Sequence, residues 1–195
     1  MLAFAPLPMG CPSPGNKTLQ MSPRIYVGAY SSDGDTNGIF YFAGQGYVVG
    51  GTWANPQTNQ NIVMAASGIG SGTLDSIVNR DSSDTFDNNA LNNWFSVYLG
   101  VGRYLIPSHY TFRQRSSGGD LMTLMKLQSS SDNLNWTDLT TADAPTQTAD
   151  VFTSFSVAAQ PNMYSYFRLI RTGPDTGASG FFCIGEWELY GTLFY

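Results

Sequence analysis

From residue 24 onward the chain is a succession of short apolar runs rich in Val, Ile, Phe, Tyr and Thr, cut apart by clusters of Gly, Asn, Asp, Ser and Pro. Such runs are strand signals bounded by turn signals. They predict strands over 25–30, 39–42, 62–66, 95–99, 108–115, 122–129, 152–157, 167–171 and 183–190. In Tyr110-Thr111-Phe112-Arg113 and Phe152-Thr153-Ser154-Phe155 apolar and polar side chains roughly alternate, the period of a strand with one buried face. Amphipathic helices of about 10 to 15 residues, which a parallel α/β fold needs between its strands, are missing, and 73–78 has room for a turn or two. The expected class is all-β, two antiparallel sheets packed face to face.

At 195 residues, with 42% hydrophobic and 14% aromatic content, the chain has the length and apolar surface for one such core. Residues 1–22 differ in kind: Pro6, Pro8, Pro12 and Pro14 with Gly10 and Gly15 break helices and ladders alike, so this stretch is expected to be an extended arm or a flexible leader, with the domain over 23–195. The arm is a candidate contact to an assembly partner or a second copy. Its apolar start, Met1 to Pro8, lacks a basic segment and is not read as a signal peptide. Cys11 and Cys183 stand at opposite ends of the chain; a bridge between them and two separate thiols, Cys183 buried, are both open, the second preferred.

Charged residues are 12% of the chain, and Ser, Thr, Asn, Gln and Gly carry its polarity. That composition favours an extracellular or particle-surface setting. A formal charge of −5 with 9 basic residues leaves no stripe to neutralise phosphates, which argues against nucleic acid and against anionic membrane surfaces. No apolar run approaches the roughly 20 residues of a membrane-spanning helix.

Four ordered blocks carry a resemblance. Asn92 to Arg115, NNWFSVYLGVGRYLIPSHYTFRQR, resembles the discoidin-like segment in which a Trp-led strand ends in a "DLG" turn before an "IPxHYTLR" strand, with Tyr98 at the usual Asp. LMKLQSSSDNLNWTDL, Leu124 to Leu139, is similar to that family's "W-x-L-Q-x-S-x-D-G-x-x-W-x-x-L" hairpin, with Asn133 at a Gly position whose left-handed turn Asn tolerates. YFRLIRTGPDTGASG and IGEWELYGTL resemble "hFRLxxTGxNSSG" and the closing "xxGFELYG" strand. Upstream, 37–80 is similar to the entry segment of the branch found in HECT-type ubiquitin ligases and BTB-domain proteins. The resemblance implies a galactose-binding-domain-like jelly roll of about eight strands, whose loops at one end bind sugars, lipid headgroups, peptides or protein surfaces.

It also implies sites. In carbohydrate-binding relatives the acid at the position of Glu186 helps hold a structural calcium with a loop whose counterpart here carries Asp75, Asn79 and Asp81, a donor set suited to an oxygen-seeking ion. A His and an Arg from strands of this kind contact sugars, which singles out His109 and Arg113. From the residues alone, Trp53 with Tyr47 is the expected exposed recognition pair, because 50–56 reads as a loop, whereas Trp94, Trp136 and Trp187 are expected between the sheets. Glu186 and Glu188 should share the face opposite Trp187. A single histidine, and no HExxH, CxxC or GxxxxGK[ST] pattern, argue against catalysis. The expected function is a non-catalytic module recognising carbohydrate or glycoconjugate; a protein-interaction or structural assembly module is the alternative.

Overall fold

The computed structural model describes residues 22–87 and 92–195. All but the last residue of the expected arm, and Cys11 with it, lie outside them. Among the described residues the fold has eleven strands and one short helix: β1 (Ile25–Gly28), α1 (Ile39–Gly44), β2 (Val63–Ala66), β3 (Thr85–Phe86), β4 (Trp94–Tyr98), β5 (Tyr104–Arg113), β6 (Met125–Ser130), β7 (Thr137–Asp138), β8 (Phe152–Ser156), β9 (Tyr166–Arg171), β10 (Cys183–Ile184) and β11 (Glu186–Phe194). A 3-10 turn, Leu74–Val78, occupies the place where a turn or two was expected.

Two sheets, β1-β11-β5-β8 and β2-β4-β9-β6-β7, enclose the core, and a small third pairs β10 with β3. All named pairings are antiparallel. The architecture is the expected jelly-roll β-sandwich. Leu105, Tyr110 and Phe112 of β5 and Trp187, Leu189 and Leu193 of β11 meet Phe95, Val97, Leu127, Phe167 and Leu169 of the other sheet, all essentially inaccessible. Each such side chain contributes about 1.5–3 kcal/mol by leaving water. The hairpin resemblance also holds locally: Asn133 takes a left-handed backbone, φ 60°.

One bulge decides what the outer face of the four-stranded sheet presents. Tyr190 pairs with His109 but Gly191 with Pro107, so Ser108 is an extra residue on β5. The extra residue leaves both Ser108 and His109 on the outer surface, and it admits Pro107, which has no N–H for a ladder. Gly191 is required opposite: at φ 148° a Cβ would lie 2.1 Å from the Ile106 carbonyl oxygen.

Two expectations are corrected. The run 39–42 is helix α1, because Ile39, Phe40, Phe42 and Ala43 are all buried and a fully buried apolar run has no period to tell strand from helix. The Glu188 carboxylate fixes it, accepting the N–H of Phe40 at 2.7 Å and of Tyr41 at 3.0 Å. Gly38 makes room, since a Cβ there would meet Glu188 Cδ at 2.0 Å. Among the tryptophans only Trp187 lies between the sheets. Trp94 and Trp136 are half-buried, and the Arg168 guanidinium covers Trp136 at 4.2 Å.

Candidate functional site

The bulge opens onto a groove of about 420 Å³ that crosses the outer face of the four-stranded sheet. Val27 and Ala29 form one side, Ile106, Pro107 and Gly191 the floor, and Ser156, Ala159 and Gln160 the other side. Ser108, His109 and Thr192 add polar groups. The volume falls within the roughly 300–1,000 Å³ of small-ligand sites, and a mostly apolar lining with a few hydrogen-bonding groups is their usual chemistry.

His109 is the organising residue. Its ring stacks on Tyr30 at 5.4 Å, and Tyr30 in turn packs edge-on against the buried Tyr190 at 5.3 Å. Nε2 lies 3.2 Å from the Ser156 hydroxyl and Nδ1 3.4 Å from that of Ser108. Tyr30 is held from below by the turn at 31–37, whose Ser31, Ser32 and Asn37 N–H groups all donate to the Asp35 carboxylate.

Of the four expected ligand contacts, His109 alone lines this groove. Tyr47 is 6% exposed rather than open to a ligand. Its backbone is left-handed (φ 61°), its ring packs against Phe42 and Tyr195, and its hydroxyl donates to the carbonyls of Asn61 at 2.7 Å and Leu99 at 3.3 Å. Burial pushes that hydroxyl up to about 12. Trp53 is half-buried, with Nε1 sealed against the backbone at Gly44 and its ring 6.5 Å from Tyr41. Arg113 is 4% exposed and fully engaged: it pairs with the Asp150 carboxylate, donates to the carbonyls of Asp81 and, at 3.2 Å, Gly185, and lies 3.8 Å from Glu186.

That engagement bears on the expected calcium. Glu186 faces the Arg113 guanidinium, and the Asp81 carbonyl is one of the same arginine's acceptors. The side chain of Asp81 turns back to the N–H of Ser83 at 2.7 Å, that of Asn79 to the N–H of Asp81 at 3.1 Å, and Asp75 lies in the 3-10 turn. Among the described residues no three His, Cys, Asp or Glu gather closely enough to hold a metal ion. Asp75, Asn79, Asp81 and Glu186 therefore do not fit calcium as a set. Burial lifts the Glu186 carboxyl above its ordinary range against the pull of Arg80 and Arg113. It lifts Glu188 to about 8, although the N–H groups of Phe40, Leu189 and Tyr41 pull the other way.

Tyr30, Ser156, Gln160 and Gly191 were not singled out from sequence. Gly191 carried a signal, since an isolated glycine inside a strand marks a bulge or a close backbone approach.

No family model matches the chain. By sequence it is 32% identical over 176 residues to a BTB/POZ domain-containing protein of Arabidopsis thaliana, covering 83% of this chain and 22% of that protein. It is 29% identical over 187 residues to the E3 ubiquitin-protein ligase Ufd4 of Drosophila melanogaster, covering 86% of this chain and 6% of that one. The chain thus spans at most about a fifth of the length of these curated relatives. By structure it is similar to CpGH89CBM32-5 of Clostridium perfringens in complex with GalNAc-β-1,3-galactose: TM-score 0.58, 17% identity, 71% of this chain and 99% of that one. It is also similar to the family 32 carbohydrate-binding module of C. perfringens NanJ in complex with galactose, with a TM-score of 0.55, 18% identity, and coverage of 70% and 97%. A family 62 module of Clostridium thermocellum Xyl5A matches with a TM-score of 0.52, 22% identity, and coverage of 67% and 94%. At these identities the likeness shows the fold alone, a jelly-roll β-sandwich.

No helix among the described residues is long and apolar enough to cross a membrane.

Proposed function

We propose that this chain is a non-catalytic module that binds carbohydrate or a glycoconjugate, and that the groove at His109 is where the sugar sits. The observation that carries the reading is the groove's mixed lining. A pyranose presents an apolar C–H face and a rim of hydroxyls; Val27, Ile106, Pro107 and Ala159 offer the first a dry wall, and Ser108, Ser156, Gln160, Thr192 and the His109 ring nitrogens offer the second hydrogen-bond partners. That sandwiches of the same fold have been solved with galactose-containing ligands supports the assignment.

The lining of the groove supports binding without turnover. Glycoside hydrolysis needs two carboxylates, and the lining residues include none. The His109–Ser156 pair has no acid to orient it either, because Nδ1 faces the Ser108 hydroxyl. Shallow, neutral sites of this kind bind weakly one at a time and gain from multivalency.

The test is a glycan array on the purified chain, run with calcium and with chelator, followed by calorimetric titration of His109→Ala with the best glycan. Galactose-type sugars bound equally in both conditions, and weakened in the variant, are the expected result. Unaltered affinity in the variant places the site elsewhere.

A second reading has its own observation. Two of the curated sequence relatives are a BTB/POZ domain-containing protein and a ubiquitin ligase, and in such a setting the same sandwich would act as a protein-interaction module. An empty array together with self-association in light scattering, or with saturable binding of a protein partner, selects it.

A further inference from the structure

We infer that Arg113 serves this fold as a tethered cation: its guanidinium takes the place that an inorganic brace would fill, and the sandwich is therefore held together without calcium. The inference goes beyond the glycan reading and does not depend on it.

The donor set is the argument. Arg113 ends β5, and around its guanidinium stand the carboxylates of Asp150 and Glu186 and the main-chain carbonyls of Asp81 and Gly185. Four oxygen groups converging from four chain positions are what a hard cation recruits. Here they are shared among nitrogen donors of one side chain: Nη1 serves Asp150, Nη2 serves both carbonyls, and Nε faces Glu186. A planar fork with several fixed donors suits such a spread set, whereas an ammonium would act as a point charge.

The contacts reinforce the ladders that pair Arg113 with Glu186 of β11 and Phe152 of β8, and add to them a loop that no ladder joins to β5. Asp81 belongs to the loop after the 3-10 turn, Asp150 lies just before β8, Gly185 links β10 to β11, and Glu186 opens β11. Phe152 closes the site from one side, its ring centroid 5.8 Å from the guanidinium carbon. The arginine is 4% exposed and Glu186 is buried with it, so that pairing is little screened by water, whereas Asp150 reaches the guanidinium from the surface.

Thermal unfolding of the full chain tests this without any glycan, so its outcome is separate from that of the array. Wild type should melt at one temperature in EDTA and in calcium chloride. Arg113→Ala should melt lower by on the order of 10 °C, and calcium chloride should return part of that loss, because two carboxylates and two carbonyls then face a vacated cation position. Arg113→Lys, which keeps the charge but not the fork, should fall between the two and keeps the test usable if the alanine variant does not fold. A wild-type melting point that drops in EDTA or rises with calcium overturns the inference. So does an Arg113→Ala or Arg113→Lys protein as stable as wild type.

Discussion

At His109 the outer face of the four-stranded sheet is neutral and half-open; a few residues further along the same strand, at Arg113, it is charged and sealed. At Arg113 the guanidinium already has its partners inside the chain, which leaves it nothing to offer a ligand. Around His109, the hydroxyls of Ser108 and Ser156 and the amide of Gln160 line open space. Formal charge is a poor guide to recognition in this molecule, because burying a charge demands complete internal pairing. Weakly polar side chains can stay available at little cost.

The contrast can be broken or sharpened by substitution. The largest effect is expected at the sealed end: Arg113→Ala should cost about 3 kcal/mol in denaturant unfolding, since it strands the buried Glu186 carboxyl and the Gly185 carbonyl, while the folded fraction keeps its glycan affinity. If affinity falls in proportion to stability, the two regions are one unit and the contrast is false. Next, Gly191→Val should cost about 1–3 kcal/mol by forcing a side chain into the Ile106 carbonyl, and should abolish binding by deforming the groove floor. His109→Ala should weaken binding roughly tenfold, about 1.4 kcal/mol, with a far smaller change in unfolding.

A pH series sharpens the comparison further. Glu188 is raised in the fold to about 8, so the folded state holds a proton that the unfolded chain releases near its ordinary value. That contribution is complete below the unfolded value and is lost as pH rises through about 8, so stability should fall over this window. Glu186, also raised by burial, acts in the same direction. Glu188→Gln should flatten the decline; an unchanged slope assigns it to other groups. Smallest of all, Trp53→Ala should leave glycan affinity within error, since the indole does not line the groove.

The fold was legible because alternation and turn residues are local properties: β4, β8 and β9 lie within a residue of their expected positions, while β5 starts four residues earlier than expected. α1 was not, because a continuous buried run has no face to show, and its deciding partner, Glu188, comes from 148 residues away. His109 was readable as a strand histidine and, through the resemblance, as a ligand candidate. Its neighbours were not, since Gly191, Ser156 and Tyr30 reach it only through register and a bulge. Arg113 misled for a physical reason: a fork suited to a ligand's oxygens is equally suited to the chain's own. Tyr47 misled because its left-handed backbone turns the ring inward, and no neighbouring residue type announces that.

β1 and β11 have a consequence of a different kind. They pair antiparallel from Ile25 against Phe194, and Arg24 and Tyr195 exchange backbone hydrogen bonds of 2.9 and 3.0 Å. The strands by which the backbone enters and leaves the sandwich are therefore about one interstrand spacing apart, near 4.8 Å. A host protein can accept such a unit in a surface loop as it would accept a hairpin, without parting its own elements, and the unit can be moved between hosts as a cassette whose two leads already lie side by side.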